Sequence, residues 1–265
     1  MRSQCVRLAF VLGALLALSR PAFATTLVTF NGEGYRDGTV TYSISGSTLT
    51  ITLANTAVYT SDKKVVPSDV LTGVIFTLPG GISLTPQTAT VAAGSTLVQT
   101  STCKPAPCSS ATTNVAGEFG YQTAPFAENG APAGPNAGIG SAGQVVGNGT
   151  QFPGGVDLDE PINMNGLNFG IVGANYASSL ANNGTQKEPL INNAVTFTLT
   201  IVGGTLLESQ ITNWTLVFGT DWTTVGGDTP VPDTAVPEPS SLVLLGSGFT
   251  ALAATLRRRR RNAKP

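Results

Sequence analysis

Apolar and hydroxyl side chains alternate along Thr39-Val-Thr-Tyr-Ser-Ile-Ser45 and again along Thr48-Leu-Thr-Ile-Thr-Leu53. A period of two suits a strand with one buried face and does not build the continuous stripe that a helix needs. Gly46-Ser47 lies between the two runs, so the pair reads as an antiparallel hairpin. Leu49, Ile51 and Leu53 face one way, and Thr48, Thr50 and Thr52 the other. Val70 to Leu78 reads as a more deeply buried strand, ended by Pro79-Gly80-Gly81. Further strands are predicted over Gly117–Tyr121, Gly166–Val172, Ala194–Val202 and Ile211–Phe218. Ala124 to Gly155 is rich in Gly, Ala, Pro and Asn and reads as long loops between short strands. No segment carries a capped stripe of period 3.6. The predicted fold is all-β: an antiparallel, jelly-roll-like β-sandwich with long Gly/Pro/Asn loops.

Charge is segregated along the chain. Arg2, Arg7 and Arg20 lie at the N-terminal end. Arg257, Arg258, Arg259, Arg260 and Arg261, with Lys264, lie at the C-terminal end. Between Thr25 and Ala235, five cations (Arg36, Lys63, Lys64, Lys104 and Lys187) face fourteen acids, a net charge of −9. A phosphate backbone is repelled by such a body, so nucleic acid is excluded as a partner. The chain has no histidine. It therefore lacks the commonest base near neutral pH and the commonest transition-metal ligand. A Ser-His-Asp triad is excluded for the same reason.

Both ends read as sorting signals. Arg2 and Arg7, the apolar run Leu8 to Leu18 and the small-x-small site Ala22-Phe23-Ala24 form a secretory signal, with the mature chain predicted to start at Thr25. Cys5 falls inside that signal. The remaining pair, Cys103 and Cys108 in Cys-Lys-Pro-Ala-Pro-Cys, reads in an exported protein as a disulfide closing a small loop. A redox dithiol or half of a metal site is the rival reading. At the other end, a polar, Pro-rich spacer from Asp228 leads to Val236-Pro237-Glu238-Pro239-Ser240-Ser241, then an apolar run from Leu242 to Leu256, then the five arginines. The apolar run has 15 residues, about 22 Å as a helix against a hydrocarbon core of about 30 Å. Ser240, Ser241 and snorkelling arginines make up the difference. As a positive-inside anchor, Arg257, Arg258, Arg259, Arg260 and Arg261 keep their end in the cytoplasm, which places the Pro-Glu-Pro motif and the body outside. The predicted organisation is a signal over 1–24, a β-sandwich over 25–227, a linker over 228–241, a transmembrane helix over 242–256 and a basic tail over 257–265.

Val-Pro-Glu-Pro-Ser, an apolar stretch containing Gly246 and Gly248, and a terminal basic cluster follow one another here as in the PEP-CTERM sorting signal of Gram-negative bacteria, which this tail closely resembles. The resemblance implies recognition by an exosortase, an integral-membrane cysteine enzyme, with cleavage near Pro237-Glu238-Pro239 and passage to the cell surface or matrix. It also implies export by Sec-type machinery, action of a signal peptidase, and residence in the inner membrane before processing. Families with this signal are common in producers of extracellular polysaccharide, which makes exopolysaccharide an expected partner. The body, through Asn55-Thr56, Val70 to Phe76, Gly138 to Gly143 and Gly166 to Ile171, is similar to a group of exosortase-dependent surface proteins.

Chemistry within the body is sparse, and no cofactor is called for. Asp157, Asp159 and Glu160 gather carboxylates, and with Asn163 and Asn165 they make a weak calcium candidate; a solvated acidic turn is the favoured reading. Tyr35, Tyr59, Tyr121, Tyr176, Trp214 and Trp222 offer rings for sugar stacking, with core or rim positions favoured. A Ser-Lys pair would draw on Lys63 or Lys64, but no strained nucleophile turn marks a serine for it. Asn148, Asn183 and Asn213 open Asn-x-Thr sequences that match a glycosylation acceptor by chance composition. The expected role is a non-enzymatic structural or adhesive surface protein. A carbohydrate-binding module is the alternative and a secreted hydrolase a weaker one. Exposed coplanar aromatics on a sheet face mark the second, and a cleft with convergent carboxylates the third.

Overall fold

The computed structural model describes residues 25–99, 113–123, 133–141, 156–157, 167–220, 223–228 and 230–232. Thr25–Asp233 forms one compact unit. Among the described residues its regular structure is almost all strand, and the helical pieces are three-residue 3-10 turns. Among the described residues no helix is long and apolar enough to cross a membrane. The span predicted over 242–256 lies outside them, as do residues 1–24 and the basic tail over 257–265.

Among the described residues the first sheet has six strands. β2 (Gly38–Ser45) and β3 (Thr48–Asn55) are the predicted hairpin, paired in register from Gly38 opposite Asn55 to Ser45 opposite Thr48. β1 (Thr26–Phe30) lies on the far side of β2, and β12 (Ala194–Val202) on the far side of β3. The edges are β5 (Ser83–Val91), beyond β12, and β15 (Val231–Pro232), beyond β1. β15 falls inside the Pro-rich stretch read as linker. Prolines are tolerated there because an edge strand need not donate on its outer side. β5 escapes sequence reading for a related reason. Pro86 interrupts its pattern, and a register shift opposite Thr198/Leu199 absorbs the interruption as a bulge.

The second sheet is centred on β4 (Leu71–Thr77), buried on both faces as its unbroken apolar run requires. On one side of β4 lie β13 (Thr212–Phe218) and then β14 (Thr223–Gly226). On the other lie β8 (Ala137–Gly140), β7 (Gly120–Thr123) and β9 (Val156–Asp157). β10 (Ile171–Val172) meets β4 at Leu71 and leads to β11 (Leu190–Asn192) and β6 (Thr96–Val98). The β10–β11 pair is parallel, a departure from a purely antiparallel plan. Two predicted strands shrink. Gly117 and Glu118 belong to a 3-10 turn, and residues 167–169 turn through Phe169, whose φ is 59°, before the two residues of β10. The reverse holds for Ala137-Gly-Ile-Gly140, read as loop, which β4 and β7 recruit as a strand between them.

One large apolar cluster takes side chains from both sheets. Phe30, Tyr42, Ile51 and Phe197 come from the first, and Phe76, Ile139, Trp214 and Phe218 from the second. Trp214 stacks between Tyr42 and Phe76, with ring centroids 4.7 and 4.6 Å away, and Phe119 meets Phe197 edge-on at 5.0 Å. A second, smaller cluster around Tyr35, Tyr59 and Tyr176 is built mostly from loops.

Candidate functional site

The alternation that buries Leu49, Ile51 and Leu53 sends Thr48, Thr50 and Thr52 to the other face of the first sheet, and the neighbouring strands do the same. Register then lines the hydroxyls into rows. Thr41, Thr52, Thr196 and Thr90 lie side by side across four strands; next come Ser43, Thr50, Thr198 and Thr88, then Ser45, Thr48, Thr200 and Thr85. All are exposed or half-buried. Neighbouring strands are spaced by about 4.8 Å and same-face residues along a strand by about 6.7 Å, so the face is a two-dimensional hydroxyl lattice curved by sheet twist. Adjacent hydroxyls bond each other: Thr52 with Thr196 at 2.9 Å and Thr88 with Thr198 at 2.5 Å. Among the described residues no strand of this sheet carries a charged side chain. A neutral face on a body of charge −9 offers hydrogen bonds and methyl groups. It holds no base to activate a nucleophile.

The tyrosine corner has a different chemistry. Tyr35 meets Tyr59 edge-on at 4.8 Å, and Tyr59 meets Tyr176 at 6.0 Å. The Gly173 N–H donates to the Tyr59 hydroxyl at 3.0 Å. A Cβ on Gly173 would lie 2.0 Å from the Ala57 carbonyl oxygen, so only glycine lets the two loops close. Asn175 brackets Tyr59, accepting from its N–H at 3.1 Å and donating to its carbonyl at 2.8 Å. The Tyr176 hydroxyl donates to Gln99 Oε1 at 3.1 Å, and Gln99 Nε2 donates to the carbonyls of Thr185 and Glu188, each at 2.8 Å. Gln99 holds this position with φ of 59°, a strained conformation that three hydrogen bonds offset. Asn55, which is buried, donates to the Ile171 carbonyl at 3.0 Å and accepts from the Ala57 N–H at 3.0 Å. Burial pushes the Tyr59 hydroxyl well above the ordinary tyrosine pKa; the Gly173 N–H opposes the shift and the Asp69 charge adds to it. Burial raises Tyr42, Tyr121 and Tyr176 in the same direction. The hydroxyls of Tyr42, Tyr59 and Tyr176 are hydrogen-bonded structural pins, and all four keep their protons near neutral pH.

The candidate residues from the sequence divide sharply. Tyr35, Tyr59, Tyr121, Tyr176 and Trp214 are all buried, so none of them forms a stacking platform for sugars. Trp222 lies outside the described residues. Lys63 sits over the Tyr35 ring, 4.7 Å from its centroid, and Lys64 donates to the Ser179 carbonyl; neither of these contacts is with a serine hydroxyl. Thr185 of the Asn183 sequence is fully buried, its hydroxyl donating to the Val65 carbonyl, so that acceptor pattern is locked into the fold. The Asn213 side chain donates to Thr77 Oγ1 at 3.1 Å. The backbone of Asp157 pairs with Gly120 in β9. Asp159 and Glu160 of the calcium candidate lie outside the described residues, and so do Cys103 and Cys108 of the expected disulfide. The same holds for Ala22 and Ala24 of the signal site and for Val236, Pro237, Glu238 and Pro239 of the sorting motif. The expected positive-inside anchor, Arg257, Arg258, Arg259, Arg260 and Arg261, also lies outside them. Among the described residues no group of three His, Cys, Asp or Glu is placed to hold a metal. The hydroxyl rows were legible strand by strand in the sequence; that β5 and β12 continue the lattice was not.

Fold and surface define an all-β protein with a neutral hydroxyl face and a body of loops tied by buried polar side chains. Residues 235–261 match the family model described as the PEP-CTERM protein-sorting motif. That match runs from the residue before Val236 through Arg258, Arg259 and Arg260 to Arg261, so it takes in the Pro-Glu-Pro motif, the apolar run and the basic cluster together. The chain therefore carries a PEP-CTERM tail, which implies exosortase as its processing partner, with export and membrane anchoring before processing and surface location after it. No curated protein and no solved structure matches the chain.

Proposed function

We propose that this chain is an exported, exosortase-processed surface or matrix protein whose body, over 25–227, is a β-sandwich with a non-enzymatic structural or adhesive role. The tail match carries the reading. Signal cleavage after Ala24 and a Cys103–Cys108 disulfide belong to it, as does a cytoplasmic end held by the arginines of the tail. The exosortase step breaks one backbone peptide bond near Pro237-Glu238-Pro239. The acyl carbon passes to the enzyme's cysteine thiolate as the tail amine leaves, and then to water or an amine acceptor. A proline on each side of Glu238 disfavours helix and biases the residue before each proline toward extended backbone, a sequence preference that an enzyme reading strands can use. The test is Glu238→Ala with both prolines kept. Full-length precursor then accumulates in the inner membrane, whereas normal maturation of this variant and of Pro237→Ala/Pro239→Ala defeats the reading.

A second reading is favoured by the hydroxyl lattice: the body holds a neutral polysaccharide by hydrogen bonding, without aromatic stacking. The net charge of the body disfavours anionic polymers. Thr50→Glu/Thr198→Glu places two carboxylates on adjacent strands of the lattice and leaves the buried face untouched. Retention of the mature protein on a neutral β-glucan matrix is expected to fall at least tenfold; equal retention of both proteins, or none by either, removes the reading.

A further inference from the structure

One row of the hydroxyl lattice is longer than the others. Thr90, Thr196, Thr52 and Thr41 lie opposite one another on β5, β12, β3 and β2, and register carries the same line on to Leu27 of β1 and Val231 of β15. Among the described residues, no other row on this face reaches all six strands. Four of its positions are hydroxyls, and the last two are apolar. Leu27 is 39% and Val231 63% exposed, so the line ends on aliphatic surface left in water. The Thr52 and Thr196 hydroxyls bond each other at 2.9 Å. A bonded pair still presents one O–H and three acceptor lone pairs to a ligand.

We infer that this row binds a single straight, ribbon-like chain of neutral β-1,4-linked pyranoses laid across the strands, with the hydroxylated edge of the ribbon on the threonines and its C–H face on Leu27 and Val231. The inference rests on the polysaccharide reading above and gives the chain a class and a direction. Distance sets the direction. Positions along the row are about 4.8 Å apart and same-face positions along a strand about 6.7 Å, and each sugar of an extended β-1,4 chain advances by close to the first of these. The six positions span about 24 Å, the reach of about five such sugars. Twist sets the presentation. Neighbouring strands rotate by about 20–25° about the line that joins them, and the outward normal of the sheet rotates with them. The middle of the threonine segment and the middle of the Leu27–Val231 pair are three strand steps apart, which makes about 60–75° of rotation. The edge and the face of a flat ribbon differ by a quarter turn. A ribbon lying straight along the row therefore turns its equatorial hydroxyls to the threonines and most of its C–H face to the aliphatic pair. α-1,4 and β-1,3 chains coil and do not hold one edge along a line. A flat crystalline array of ribbons gains nothing over one chain, because a saddle-shaped sheet meets a plane along one line. A second copy of this protein is too large a partner: the twelve hydroxyl positions cover about 400 Å², against about 800 Å² per partner in a stable complex. The row is uncharged, and the body of charge −9 around it repels an anionic chain.

Titration calorimetry of the mature protein with cellohexaose, maltohexaose and cellotriose tests the placement. Cellohexaose is expected to bind about tenfold more tightly than its α-linked counterpart maltohexaose, and about tenfold more tightly than cellotriose, which is too short to reach both segments of the row. Thr52→Val/Thr196→Val keeps the β-branched shape and removes the bonded hydroxyl pair, and is expected to weaken cellohexaose about fivefold. Leu27→Ser/Val231→Ser removes the apolar end and is expected to weaken it by about the same factor. Thr48→Val/Thr200→Val makes the threonine change two rows away and is expected to leave affinity within about twofold. All six positions are exposed or half-buried, and unfolding midpoints recorded beside the titrations check that each variant folds. Should one pair fail to fold, the other pair and the comparison of the two hexaoses still decide. Equal affinity for the two hexaoses, or equal weakening by the two threonine pairs, overturns the placement along this row and leaves the polysaccharide reading standing. Absence of cellohexaose binding overturns the placement too. Retention on the β-glucan matrix, compared between wild type and Thr50→Glu/Thr198→Glu, then shows separately whether the polysaccharide reading falls with it.

Discussion

The large cluster between the sheets and the tyrosine corner are held together by opposite means. In the first, alternating strands present an apolar face, and stability comes from area removed from water: Phe197, Phe119, Trp214 and Phe76 interlock with hardly a polar atom among them. In the second, loops approach each other, and their backbone groups must find partners without the help of a ladder. Asn55, Asn175, Gln99 and Thr185 supply those partners. A strand core tolerates change in proportion to volume. A loop corner depends on particular atoms, because each lost partner leaves a buried group unsatisfied.

The largest effect is expected from Phe197→Ala. Phe197 is fully buried on β12 between β3 and β5, so a cost of about 3–5 kcal/mol is expected across the whole body. Denaturant unfolding of the mature protein should show a large fall in midpoint, with hydrogen exchange faster in both sheets. Asn55→Ala comes next. It strands the Ile171 carbonyl and the Ala57 N–H, at an expected cost of about 2–3 kcal/mol. The gain in exchange should concentrate on residues 56–60 and 171–176; a spread equal to that of Phe197→Ala would erase the distinction between the two regions.

Tyr59→Phe removes one hydroxyl from the corner and keeps the ring, for an expected loss of about 1 kcal/mol at neutral pH. The same hydroxyl also makes stability depend on pH. A tyrosine whose pKa is raised on folding stabilises the protein fully below the unfolded value, about 10, and that stability is lost as pH climbs toward the folded value. Stability should therefore decline above about pH 10, less steeply in Tyr59→Phe, as followed by tyrosine absorbance and unfolding midpoint together. Equal alkaline slopes would remove Tyr59 from that account. The smallest effect belongs to the hydroxyl lattice. Thr198→Val keeps the β-branched shape and gives up one bond at a half-exposed position. A change within about 0.5 kcal/mol is expected in thermal melts.

Reading the sequence went furthest where one residue's environment repeats every second position. β2, β3 and β12 were placed almost to the residue, because their buried faces impose a period that no turn or helix shares. It failed at Ala137–Gly140, where no side-chain pattern exists and pairing with β4 and β7 creates the strand. It also failed at Gly166–Val172, where an apolar, β-prone run is bent by Phe169 in a left-handed conformation. Of the aromatics offered as ligands, every described one proved to be core, since a ring gains more from burial than from exposure unless something holds it outward.

Sequence alone determined the all-β class, the neutral hydroxyl face of the central hairpin, the absence of histidine chemistry and the sorting tail. Each of these is written in local order, as a period, a composition or a contiguous motif. Tertiary structure alone decided that β12 enters between β3 and β5, that Asn55 holds Ile171 across 116 positions of chain, and that Thr26 and Pro232 lie side by side. Such pairings carry no local signature. Any extended segment can hydrogen-bond to any other, and the choice among them is made by which closure buries the most apolar area while leaving the fewest backbone groups without a partner.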